Sequence, residues 1–241
     1  MPIFDTHAHY DADRFDSDRD ALLSAMPGVG VGLVLDPGCD LPSSRAAAEL
    51  AERYPHVYAA VGVHPEDCDG FQDSDLTELR QLLERPKVVA IGEIGLDYAV
   101  TGDSVLRTAQ RHWFEQQMEL AADRSLPVII HCVRAYNDLI PILRHYPHVT
   151  PVIHGFTGSP ELAERLLQAG GYLSFGHRTA ASPKTRRALA AVPVDRVFFE
   201  TDESPLPIAA TYATAAAITG KTVAEWKETV YDNYRRLFKT P

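Results

Sequence analysis

VVAIGEIGLDY, residues 88–98, runs from five apolar or glycine residues straight into a carboxylate, Glu93. A continuous apolar run of this length suits a strand buried on both faces, as in a parallel sheet. The run predicts a strand over 88–92 with Glu93 just beyond its end. A carboxylate there needs a partner, either an Arg or Lys or a metal ion. Gly92 and Gly95 allow close approach of a backbone or a ligand.

The same construction recurs along the chain. Comparable runs are IF (3–4), VGLVL (31–35), VYAAVGV (57–63), PVIIH (127–131), PVIHGF (151–156), GYLSFG (171–176) and VFFE (197–200). Helical patterns separate them, at 20–26, 43–54, 75–85, 104–124, 135–146, 159–170 and 182–192, with the last at 222–238. Several open on Ser, Thr or Asp, whose side-chain oxygens cap a helix start. The Ala-rich stretch 209–219 reads as a further, small-residue helix. Eight strand–helix alternations in 241 residues predict an α/β fold, a TIM-type (β/α)8 barrel, forming a single domain over 1–241. A doubly wound open sheet is the alternative that alternation alone permits.

Polar residues end these strands. His7 and His9 follow the first, His64 the third and Glu93 the fourth. His131, His154, His177 and Asp202 follow the fifth to eighth in turn. In a barrel such ends converge on one face, where active sites sit. His7 and His9, two residues apart on an extended segment, point to the same side. Alone they fit an exposed turn equally well. Together with Glu93, His131, His154 and Asp202 they form a mixed nitrogen and oxygen set able to hold two divalent ions. Asp202 is the candidate to orient or deprotonate water. His64, fixed by Pro65, is assigned to substrate. Glu200, inside its strand, reads as a buried partner rather than a chemical group. His177 reads equally as pocket wall or plain loop residue. Asp5 is assigned to orient a histidine ring, and Asp11 to the surface. The acidic run Asp11 to Asp20 lacks the spacing of a calcium loop and reads as a solvated helix start. Trp113, Phe114 and Met118 recur at helical spacing and read as core.

Composition bounds the partners. The chain has 23 Lys and Arg against 33 Asp and Glu, a formal net charge of −10. Long duplexes are repelled by such a surface, whereas a nucleic acid end held at a metal centre is not. Three cysteines without CxxC spacing argue against a disulfide framework, and no run approaches a membrane span. The expected setting is the cytoplasm, with no membrane and no obligate protein partner.

FDTHAHYD, VGVHPED, VVAIGEIGLDY, LPVIIHC, VIHGFTGS and FFETDESP together resemble the TatD family of metal-dependent hydrolases and nucleases, in family order and over nearly the whole chain. The resemblance implies a barrel with a divalent-metal centre and phosphodiester hydrolysis, often as a deoxyribonuclease. Exonuclease trimming of DNA, 3′-5′ in type, is the expected activity. It implies that His7, His9 and Asp202 hold one ion, that Glu93 bridges to a second held by His131 and His154, and that His64 binds substrate phosphate. The metal is expected to be Mg, Zn or Mn. The chain departs from the family pattern at Val133, at Gly155 and at Glu203-Ser204. It also lacks an Asn-x-Pro segment before the last helices, which predicts a shortened loop after the eighth strand. An amide or ester hydrolase on the same centre, D-aminoacyl-tRNA deacylation included, is the rival enzyme. A binding module that retains the site without catalysis is the non-enzymatic rival.

Overall fold

The structure, a computed structural model, describes residues 1–99 and 103–238. In chain order the elements are β1 (Ile3–Asp5), α1 (Arg19–Ala25), β2 (Val31–Pro37), α2 (Leu41–Arg53), β3 (Val57–Val61) and α3 (Asp73–Leu82). There follow β4 (Val88–Asp97), α4 (Ser104–Arg124), β5 (Val128–Val133), α5 (Tyr136–His145), β6 (Pro151–Ile153) and α6 (Pro160–Gln168). The chain ends with β7 (Tyr172–Phe175), α7 (Pro183–Ala191), β8 (Val197–Phe199), α8 (Ile208–Thr219) and α9 (Val223–Leu237). The eight strands are parallel and hydrogen-bonded in sequence order. The sheet curls until its edges meet: the Thr6 amide donates to the Phe199 carbonyl at 3.0 Å, and the Asp202 amide donates to His7 at 2.7 Å. This is the TIM-type barrel that the alternation predicts, not an open sheet.

Burial explains why the runs are apolar throughout. Nearly every residue of β2, β4 and β7 is buried, because one face fills the barrel and the other meets helices. Phe114 and Met118 of α4 are buried as expected, and Trp113 packs edge-on against Phe71 at 4.8 Å. The three-residue β1 is fastened from outside. The Tyr212 hydroxyl of α8 donates to the Phe4 carbonyl at 2.9 Å and accepts from the Phe4 amide at 3.3 Å. Phe4 also packs against Tyr234 of α9, with ring centroids 4.9 Å apart.

One boundary differs from expectation in a way that matters. β4 does not stop before Glu93 but continues to Asp97, after a register shift between Ile91 and Ile94. Gly95 permits this, because a Cβ there would overlap the His131 carbonyl oxygen on β5. The connection from β8 to α8 spans only residues 200–207. No helix among the described residues is long and apolar enough to cross a membrane, and the three cysteines are free.

Candidate metal centre

The strand ends bring His7, His9, His64, Glu93, His131, His154 and Asp202 around one point at the C-terminal mouth of the barrel. His7 and His9 stay side by side because Ala8 between them makes a parallel bridge to Asp202. Their Nε2 atoms lie 3.0 Å apart. Glu93 is the hub, and its two oxygens face different groups. Oε2 lies 3.1 Å from His7 Nε2 and 3.4 Å from His9 Nε2. Oε1 lies 2.8 Å from His154 Nε2, 3.0 Å from His131 Nδ1 and 3.4 Å from His64 Nε2. Asp202 stands on the open side, Oδ1 being 3.9 Å from His7 Nε2 and 3.8 Å from His9 Nε2.

Three of the imidazoles have a carboxylate behind the nitrogen that faces away from the centre. Asp97 meets His131 Nε2 at 2.9 Å, Glu200 stands 3.7 Å from His154 Nδ1, and Asp11 stands 3.9 Å from His9 Nδ1. Only the Asp97 contact is a hydrogen bond, and it orients the His131 ring with Nδ1 toward the centre; Glu200 and Asp11 stand beyond hydrogen-bond reach of His154 and His9. His64 is arranged the opposite way. Its Nδ1 accepts from the Glu66 amide at 3.2 Å, which leaves the proton on Nε2, the atom pointing into the centre. His7 stacks on His154 with centroids 4.0 Å apart, and its buried Nδ1 has no hydrogen-bond partner.

The charges are mutually dependent. Burial would raise the Glu93 carboxyl, but His154 and His7 beside it, with hydrogen bonds from His131 and His154, hold it well below the usual carboxylate range. Burial opposes charge on His154 as well, yet Glu93 and Glu200 lift it well above an ordinary imidazole. His9 is raised against burial by Glu93, Asp11 and Asp202. His7 is lowered by burial and by its neighbour His154. Asp202 is lowered, because His7 and His154 outweigh burial. Without bound cations, the carboxylates are compensated only by protonated imidazoles. This donor set of four backed or buried imidazoles and two carboxylates, with Glu93 divided between two clusters, fits divalent metal.

Other sequence expectations fare differently. Asp5 does not reach a histidine ring: its oxygens accept from the Thr201 amide at 2.9 Å and hydroxyl at 2.7 Å. Barrel closure puts Thr201 against it, and burial pushes its carboxyl up to about 7. Asp11 is not a surface residue. Its side chain turns inward toward His9 and Asp36, and burial raises it, while burial and then Asp11 raise the enclosed Asp36. Asp13, Asp16, Asp18 and Asp20 are exposed, as a solvated helix start requires. Glu200 is fully buried and accepts from the Gly155 amide at 2.5 Å. His177 is exposed and lies outside the cluster, lining a small hollow beside Glu200 and Asp202.

Asp97, Asp36 and Arg178 have no assigned role in the sequence reading. Asp97 carried a signal, since residues four apart on a strand share a face with Glu93. Asp36 and Arg178 carried none. Arg178 helps line the cavity of about 370 Å³ over the cluster and is its cationic wall residue apart from the histidines.

The family model described as "TatD related DNase" matches residues 4–239. The chain is 36% identical over 206 residues to the uncharacterized metal-dependent hydrolase YabD of Bacillus subtilis (strain 168), covering 83% of this chain and 79% of that protein. It is 34% identical over 205 residues to the 3′-5′ ssDNA/RNA exonuclease TatD of Cronobacter turicensis, covering 83% of this chain and 77% of that one. The crystal structure of the TatD homologue YjjV from Escherichia coli superposes with a TM-score of 0.90 at 33% identity, covering 99% of this chain and 98% of that one.

Proposed function

The chain belongs to the TatD-related DNase family of metal-dependent hydrolases, and from that premise we propose that it is a 3′-5′ exonuclease. It cleaves phosphodiester bonds at a single-stranded nucleic acid end, with two divalent ions, and residues 1–241 work as one catalytic domain. The observation that carries this reading is the division of Glu93, one oxygen toward His7 and His9, the other toward His131 and His154. A carboxylate shared this way would help hold two cations, with Asp202 completing the first set.

Bound there, Mg, Zn or Mn would polarise the phosphoryl oxygens and bring the pKa of water from 15.7 toward about 7. The protein does the rest. Asp202, ionised and on the open side, accepts the proton of the attacking water. His64 donates from Nε2 to a phosphoryl oxygen, the tautomer set by Glu66. Arg178 at the cavity wall adds positive charge for the strand end. Asp97 keeps the His131 imidazole turned inward, and Glu200 and Asp11 place negative charge behind His154 and His9.

Purified protein with added Mg, Mn or Zn is expected to shorten single-stranded DNA from its 3′ end, and EDTA to abolish this. Asp202→Asn should lower kcat by about 10²–10⁴-fold with an unchanged circular dichroism spectrum. Asn tolerates the left-handed backbone of position 202, where φ is 55°. Wild-type turnover by that variant would refute the assigned base. Turnover of amides or D-aminoacyl-tRNA alone, in a panel with DNA and RNA, would reject the nuclease. No turnover and no bound metal would leave a binding module.

A further inference from the structure

Beside the metal centre lies a second, larger hollow that the hydrolytic chemistry leaves unused. It is a groove of about 610 Å³ between the turn at 13–15 with α1 on one side and residues 203–208 on the other. Its size is that of a ligand site. Among the described residues six large apolar side chains are exposed, and three of them, Leu22, Val29 and Leu206, line this groove. Concentration of exposed apolar surface in one place marks a binding site, where scattered residues do not.

The groove is built from the chain neighbours of the candidate ligands. Tyr10 follows His9, Thr201 precedes Asp202, and Glu203 lines both this groove and the cavity over the cluster. The groove and the cavity over the cluster therefore meet at Glu203. Its inner wall is aromatic: the Tyr10 and Phe15 rings lie 5.1 Å apart, and the Arg14 guanidinium sits 4.8 Å over the Phe15 ring. Arg14 also reaches across the groove to Glu203 at 3.5 Å. A lipid-like occupant gains nothing from a guanidinium and a carboxylate at its edge. A flat heteroaromatic one gains stacking from the rings and hydrogen bonds from the pair.

We infer that this groove is a nucleobase subsite, which holds the base next to the scissile phosphodiester and makes the enzyme favour intact over abasic strand ends. The inference rests on the nuclease reading above. Its test uses three substrates: an intact oligonucleotide, the same strand with an abasic 3′-terminal nucleotide, and methyl p-nitrophenyl phosphate, which has no base. In the wild type the abasic end should raise KM about tenfold, the usual scale for one stacked base. Phe15→Ala should raise KM for the intact end by the same factor and erase the difference between the two ends. Its kcat on the base-free phosphodiester should not change. Leu206→Asp, at a side chain outside the core, should act in the same direction and guards against a Phe15→Ala variant that fails to fold. Equal KM for intact and abasic ends in the wild type would overturn the subsite alone. Hydrolysis of the base-free phosphodiester without any action on the oligonucleotide would overturn the nuclease reading, and the subsite with it. Rapid turnover of a long-chain acyl ester, lost in Leu206→Asp, would overturn it in favour of an acyl pocket.

Discussion

His131 has each ring nitrogen opposite a different carboxylate, Glu93 on one side and Asp97 on the other. Asp97→Asn keeps the volume and removes the charge that orients the ring. Metal affinity should fall about 10–100-fold, measured by competition with a chromophoric chelator. The pH dependence follows from the same neighbourhood. His9 and His154 lie above an ordinary imidazole in the metal-free protein, so they still carry protons where a free histidine has lost its own. Cations must displace those protons. Apparent affinity should therefore keep rising as pH climbs past 6.5, and loading should release protons into a weakly buffered solution. A flat affinity profile from pH 6 to 8 would contradict the charge assignment. The convergence of the candidate ligands was legible at this scale, because histidines and acids follow apolar runs far too regularly for chance. What stands behind them was not. Asp5 meets Thr201 only because β1 and β8 are neighbours, a contact 196 residues apart, and Asp11 turns inward only because Asp36 is on β2.

Among the elements, β1 shows how a three-residue strand survives. Its main chain is held laterally by β2 and by the Tyr212 hydroxyl, which satisfies both polar groups of Phe4. Tyr212→Phe leaves them buried without that partner, at a cost of about 1–3 kcal/mol. Urea unfolding should show the lower midpoint with an unchanged slope. No loss would mean that the backbone finds other partners. Strand ends read from apolar runs erred in both directions, and the reason is physical. An apolar run ends where burial in hydrocarbon ends, whereas a strand ends where its ladder ends. At β4 the ladder outlasts the run, carried past Glu93 to Asp97 by the glycine at 95. At β6 it stops at Ile153, before the run does. Helices were closer to expectation, since their caps are local. Asp103 caps α4, Ser159 caps α6 and Thr222 caps α9, each through its own side chain.

For the whole molecule, charge sets how a polyanion can be held. With a net charge of −10, few cations are available to displace counterions from a strand. Binding of single-stranded DNA should weaken only gently with salt, with a log–log slope no steeper than about −2, the mark of some three phosphate contacts or fewer. A slope near −5 would point to a basic track along the surface. The barrel architecture itself was legible because eight buried strands impose eight apolar runs. Its seam was not, being made by backbone contacts that carry no residue signature. That seam orders the events of biogenesis. Glu93, His131 and His154 are all synthesised before the stretch carrying Asp202, and His7 and His9 wait for that stretch before Ala8 can pair with it. The nascent chain thus carries part of the candidate cation site long before it carries the whole, and the centre stays unassembled until Asp202 has been added.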